Sequence, residues 1–253
     1  MTSIRIVTEG EPVELSVREE GRGEPVLLIH GFASTKEVNW VDTGWMKALA
    51  GASFRAIAFD NRGHGASTKF HADSDYRLEK MAADAIGLLD ALGLSRAHVC
   101  GYSMGARIAA YLAATAGGRL DRIVLSGAGW NLVDIAPGWD AIADALLAPS
   151  IATIPDRRGR AFRAFAEQTK SDRVALACCI RGARRMLTPA ELGHIANPVL
   201  VAVGTDDDIA TDPQRLAAAI PGARYFPIAG RDHMRSVGDR AHVRAALEFL
   251  REG

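Results

Sequence analysis

The apolar residues of this chain fall into two patterns. Pro25 to Ile29, Phe54 to Phe59, Ala97 to Cys100, Ile123 to Leu125 and Pro198 to Val203 are short and nearly unbroken, and Arg224 to Ile228 completes the set. Runs of that length and character suit strands buried on both faces of a sheet. Met81 to Leu92, Ala106 to Ala116, Pro213 to Ile220 and Val237 to Leu250 read as helices, with Gly93 closing the first. At the start, Ile4 to Val7 and Val13 to Val17 alternate as a hairpin around Gly10-Glu11-Pro12. Strands alternating with helices predict an α/β chain with a doubly wound, mostly parallel sheet.

One segment breaks the alternation. Between Trp130 and Ala196 the pattern holds helices and no convincing strand: Trp139 to Leu147, Arg157 to Thr169, and Arg173 to Leu187. In the last, Leu176, Ile180, Ala183 and Leu187 mark an apolar face at helical spacing. Pro149, Pro155 and Pro189 punctuate it. The expected organisation is a core formed by 1–129 and 196–253, with 130–195 inserted as a helical cap over the carboxyl edge of the sheet, where open α/β sheets bind ligands.

Composition narrows the function classes. A chain of 253 residues with formal net charge +0 and 24% charged residues fits one large domain with an insertion and disfavours nucleic acid or an anionic membrane as partner. No apolar stretch reaches the ~20 residues of a membrane span, and Met1 to Glu11 lacks the apolar segment of a signal peptide. Cys100, Cys178 and Cys179 have no metal-ligand spacing with histidine, which suits reduced thiols in a cytoplasm.

The candidate chemistry centres on Gly101-Tyr102-Ser103-Met104-Gly105, a G-x-S-x-G between a strand and a helix. A serine on so tight a turn takes a positive φ, which costs roughly 1–3 kcal/mol. Its hydroxyl is thereby pushed out at a helix N-terminus, where unpaired N–H groups favour negative charge. Two further loops leave predicted strands: Gly204-Thr205-Asp206-Asp207-Asp208, and Gly230-Arg231-Asp232-His233 ahead of the last helix. The order is nucleophile, acid, histidine. A serine hydroxyl needs a base to take its proton, and histidine, with an ordinary pKa near 6.5, suits that work near neutral pH.

Together the sheet order, the serine turn and these loops make the whole chain resemble the α/β-hydrolase superfamily, and within it the small serine carboxylesterases and enol-lactone hydrolases. The resemblance implies Ser103 as nucleophile, His233 as base and an acid three residues after a glycine, which selects Asp207 and leaves Asp206 and Asp208 open. Asp232 stands where a second glycine is more usual. The resemblance also implies an oxyanion hole formed by the backbone N–H groups of Phe32, in His30-Gly31-Phe32, and of Met104. Asp60-Asn61-Arg62-Gly63 and His64 are expected to stabilise a loop beside the site. Trp130, Trp139 and Phe162 are candidates for the substrate pocket. Arg181, Arg184 and Arg185 read as a solvated face, one of which, turned inward, would bind a substrate carboxylate. The expected function is hydrolysis of small to medium carboxylic esters through an acyl-enzyme, with no cofactor and no metal. Enol-lactone, carbon–carbon bond (β-diketone type) and perhydrolytic chemistry are the enzymatic alternatives, and a ligand-binding receptor on the same scaffold the non-enzymatic one.

Overall fold

The computed structural model describes residues 2–134 and 138–252; residues 135–137 of the expected cap lie outside that range. The chain opens with a hairpin of β1 (Thr2–Thr8) and β2 (Glu11–Glu20). Its turn is Glu9-Gly10, both at positive φ (48° and 84°), and not Gly10-Glu11-Pro12. Thr8 pairs directly with Glu11, so Glu11 and Pro12 already belong to the strand. Positive φ at both loop residues matches the twist of a two-residue hairpin.

β3 (Glu24–Ile29), β4 (Phe54–Phe59), β5 (Ala97–Tyr102), β6 (Leu120–Ser126), β7 (Val199–Gly204) and β8 (Arg224–Ile228) continue the sheet. The order is β1-β2-β4-β3-β5-β6-β7-β8. β2 joins β4 antiparallel, and the pairings from β4 through β8 are parallel. Both faces are covered, as the unbroken apolar runs require. One face carries α2 (Leu78–Ala91), α3 (Met104–Ala116) and α8 (Pro213–Ala219), whose Leu88, Ile108 and Leu216 lie in one buried cluster with Leu27, Val99 and Val201. The other carries α1 (Trp45–Gly51) and α10 (Arg240–Leu250), whose Trp45, Leu49 and Phe249 pack with Val26, Leu28 and Val124.

The helices between β6 and β7 are α4 (Trp139–Leu147), α5 (Arg157–Gln168), α6 (Arg173–Gly182) and α7 (Pro189–Gly193). Ile142, Leu146, Ala166, Leu176 and Ile180 form their own buried cluster, which reaches the core through Ala33 and the half-buried Phe32. α6 ends five residues short of Leu187, yet Leu187 is buried and its N–H donates to the Leu132 carbonyl at 3.0 Å. Pro189, expected as punctuation, begins α7, which Thr188 and Glu191 close with a reciprocal capping box. The helix expected from Val237 begins instead at Arg240, where the Asp239 carboxylate accepts from the Ala241 N–H at 2.8 Å. Ahead of it lies a single turn, α9 (His233–Ser236). No described helix is long and apolar enough to cross a membrane.

Candidate active site

Ser103 follows the last residue of β5 and precedes the first of α3. Its φ is 54° and ψ −110°, the strained backbone expected of the turn. Its N–H donates to the Ser126 carbonyl at 2.8 Å, which ties the turn to β6. Gly105 makes the approach possible: a Cβ there would stand 1.9 Å from the Ile29 carbonyl oxygen. Only a residue without a side chain lets α3 start so close to β3.

Two loops converge on this hydroxyl. Gly204 ends β7 where a Cβ would meet the Arg231 carbonyl oxygen at 2.0 Å, so the 205–208 and 230–233 loops run in contact. The Asp206 N–H donates to that same carbonyl at 3.1 Å. His233 Nε2 then lies 3.0 Å from Ser103 Oγ, and His233 Nδ1 lies 2.8 Å from Asp207 Oδ2. The other Asp207 oxygen accepts from the Ile209 and Ala210 N–H groups, each at 2.9 Å. The Asp207 side chain is fully buried, whereas Asp206 and Asp208 are exposed. Burial works to push the Asp207 carboxyl up; the His233 bond and charge and the two N–H groups outweigh it and hold the carboxyl below its usual range. An ionised carboxylate only accepts, so Nδ1 carries the proton and the Nε2 lone pair faces the serine.

Asp232, the residue in place of the usual glycine, caps α9: its carboxylate accepts from the Arg235 N–H at 2.8 Å. His233 is thereby the first residue of a capped turn. The buried Tyr102 hydroxyl donates to the His233 carbonyl, fixing it from the β5 side. Burial drives that phenol well above its ordinary pKa, so it stays a neutral donor.

The His30-Gly31-Phe32 loop is anchored by a residue that carries no motif of its own. Asn39 is buried, and its Oδ1 accepts from the Gly31 N–H at 2.8 Å. Asn39 follows from a π-helical turn, Glu37–Val41, in a stretch where no element was expected. Asn39→Ala would leave the Gly31 N–H without its acceptor, and is expected to cost about 1–3 kcal/mol of stability and to lower kcat. Urea unfolding and ester kinetics on the same variant check both; unchanged values would mean that the loop holds itself.

Deeper still, Lys36 Nζ is fully buried and meets Asp60 Oδ2 at 2.8 Å and Ser16 Oγ at 3.0 Å. Arg62 forks onto Asp84 with two bonds of 2.6 Å, and Thr8 adds another to the same carboxylate. The 60–64 loop is thus tied into the core by ion pairs and is not part of the line of Ser103, His233 and Asp207.

Ser103, His233, Phe32, Trp139 and Phe162 share one cavity of about 220 Å³, with Phe165 and Val237 adding apolar wall. Met104 lines it too. Trp130, expected in the pocket, is not among the lining residues: it is buried in the core cluster under the Arg215 guanidinium, 3.9 Å from its ring centroid. Arg181, Arg184 and Arg185 pair at the surface with Asp144, Asp140 and the two glutamates Glu79 and Glu191. None of the three lines the cavity.

Comparison with known proteins bears on the family and the fold. Residues 24–178 match the family model of the alpha/beta hydrolase fold. A Mycobacterium tuberculosis protein provisionally named the non-heme bromoperoxidase BpoC is 30% identical over 246 residues, 88% of this chain and 91% of that one. The N-formylmaleamate deformylase of Pseudomonas putida is 28% identical, over 90% of this chain and 78% of its own. Among solved structures, the enol-lactonase of Burkholderia xenovorans LB400 superposes with a TM-score of 0.83 at 25% identity, covering 98% of this chain and 100% of that one.

Proposed function

The chain belongs to the α/β hydrolase fold family and is a hydrolase; we propose that it cleaves carboxylic esters of small to medium acyl size through an acyl-enzyme on Ser103. The observation that carries the reading is the hydrogen-bonded line from Asp207 through His233 to Ser103, at 2.8 and 3.0 Å. In the proposed cycle the Ser103 oxygen attacks the ester carbonyl while His233 Nε2 takes the hydroxyl proton. The tetrahedral oxyanion is met by the backbone N–H groups of Phe32 and Met104, and the same proton passes to the departing alcohol. A water, deprotonated by His233 in turn, releases the acid.

A serine nucleophile favours acyl transfer, since the product of its attack is an ester that water reopens. The cavity of about 220 Å³ falls below the 300–1,000 Å³ of drug-sized sites, which supports a short acyl group. Lactones, esters closed into a ring, are the second reading, favoured by the full-length likeness to an enol-lactonase. The test is labelling: a fluorophosphonate is expected to abolish turnover of p-nitrophenyl butyrate and to leave one adduct, on Ser103, in a peptide digest. An adduct elsewhere, or full turnover by the labelled protein, would overturn the assignment.

A further inference from the structure

Arg107 stands one turn into α3 from the proposed nucleophile, and its N–H donates to the Ser103 carbonyl at 3.1 Å. Residues four apart share a helix face, so its side chain leaves α3 on the side of Ser103. It is only 7% exposed and is the one charged residue of α3. The other deeply buried lysines and arginines meet acids: Lys36 meets Asp60, Arg62 meets Asp84, Lys80 meets Glu11 and Asp75, and Arg163 meets Glu167. Arg107, among the described residues, meets none. Its guanidinium donates to the neutral Asn131 and Arg185 carbonyls at 2.8 and 3.2 Å and lies 3.3 Å from Met186 Sδ. Burial lowers its pKa to about 10, still far above neutrality, so the charge persists. A buried charge without a counter-ion is costly, and a ligand anion is one way to compensate it.

That side chain lines a second, smaller cavity of about 30 Å³, which also borders Ser103, Met104, Asn131 and Cys179. A void of that size has room for a group of water-like dimensions. Its walls share Phe32, Ser103, Met104, Trp139 and Ile209 with the larger apolar cavity. The two are lobes that meet at the serine, one greasy and one carrying an uncompensated positive charge.

We propose that the smaller lobe is a carboxylate subsite and that the substrate is an ester or lactone bearing a free carboxylate, paired with Arg107, a short chain away from the scissile carbonyl. The proposal rests on the reading of Ser103 as nucleophile and names the substrate class of that site. Hydrolysis then adds one water and yields a dicarboxylate and an alcohol, or a hydroxy-diacid from a lactone. The apolar lobe holds the remainder of the substrate.

The competing role for Arg107 is that of a staple joining the 131 and 185 segments. A staple alone predicts no preference for acids. The experiment compares kcat/KM for p-nitrophenyl hemiglutarate with that for its neutral methyl ester. The wild-type protein is expected to favour the acid at least tenfold. In Arg107→Gln that ratio is expected to fall by roughly 10- to 100-fold, the worth of a charge-assisted pair, and in Arg107→Lys by less. A wild-type ratio near one, or a ratio unmoved in Arg107→Gln, overturns the subsite. Titration of Ser103→Ala with glutarate and with glutaramide separates the two readings without any chemistry. Acid-selective binding in a protein that turns over neither ester would keep the subsite and sink the esterase. Ester turnover without acid selectivity would do the reverse.

Discussion

Asp207→Asn is expected to lower kcat on a short-chain ester by about 10³–10⁴, while Asp206→Asn and Asp208→Asn change it less than about threefold. The size follows from orientation. The Ile209 and Ala210 N–H groups both donate to Asp207 Oδ1 at 2.9 Å, and only an oxygen satisfies them. An asparagine therefore keeps its carbonyl oxygen there and turns its NH₂ to the position now held by Oδ2, 2.8 Å from His233 Nδ1. An NH₂ donates, so Nδ1 must become the acceptor and the ring proton moves to Nε2. The base then presents a proton, not a lone pair, to a serine oxygen 3.0 Å away. Because the buried N–H groups remain satisfied, the variant should fold, and a thermal melt alongside the kinetics shows whether it does. Asp206 and Asp208 are exposed loop acids, Asp206 bonded to Thr205 Oγ1 at 3.2 Å and Asp208 lying 3.9 Å from an Arg158 nitrogen. Equal losses at all three positions would mean that burial of Asp207 is incidental to the reaction.

How far the sequence reaches depends on how local the cause is. The central strands were legible because a strand buried on both faces has nowhere to put a polar residue. α4 was legible to its ends because its apolar stripe repeats on one side and its boundary falls at Gly138, at φ 97°. The line of Ser103, Asp207 and His233 was legible as an order of loops, each at the carboxyl end of a strand. What the order could not supply was the choice among three adjacent aspartates, which the backbone of 209–210 makes.

The misreadings come from long-range packing. α1 escaped because it is seven residues long and opens after Gly44, though Trp45, Met46 and Leu49 are its buried side. Trp130 looked like a pocket aromatic, but its place under Arg215 depends on α8, more than eighty residues on. Arg107 left one trace, a lone charge in the apolar run Ala106 to Ala116. Helices usually put such a residue in water; here the segments around Asn131 and Arg185 cover it. Arg181, Arg184 and Arg185, expected as a solvated face, do lie at the surface, and the arginine that borders a cavity with the serine is Arg107, inside a helix expected to be small and apolar.

Lowering the pH from 7 to 5 is expected to destabilise the fold by on the order of 2 kcal/mol for each of His64 and His242, roughly 4 kcal/mol together, with His30 adding a loss in the same direction. His30, His64 and His242 are fully buried, and each is held in the neutral form. Burial lowers all three, His64 to about 3 and His242 to about 4. The geometry agrees with the direction. His30 Nε2 accepts from the Asn61 N–H at 2.9 Å, so a proton there would confront another donor. His242 Nδ1 lies 2.9 Å from the Ser236 carbonyl and must donate to it, which leaves Nε2 to accept from Ser126 Oγ at 2.8 Å. His64 Nδ1 faces the Arg62 carbonyl at 2.9 Å, and its buried Nε2 has no partner among the described residues. In the unfolded chain each imidazole titrates near 6.5. The folded values are lower, so below about pH 6.5 the unfolded state binds protons that the folded state refuses. The stabilisation is complete above about pH 6.5 and drains away as the pH falls toward the folded values. His64 and His242 each lose about 1.4 kcal/mol per pH unit across that window, and His30 loses in the same direction. Asp207, whose folded carboxyl is also lowered, adds its own loss only below about pH 4, where the unfolded carboxylate takes up its proton, so the fall between pH 6.5 and 5 belongs to the imidazoles. Urea unfolding at pH 7.0 and 5.0 measures it, and proton uptake on unfolding at pH 5.5 should approach two per chain from His64 and His242, with His30 adding to it. An unfolding free energy at pH 5.0 within 1 kcal/mol of the neutral value would show that these rings find a way to carry charge inside the fold.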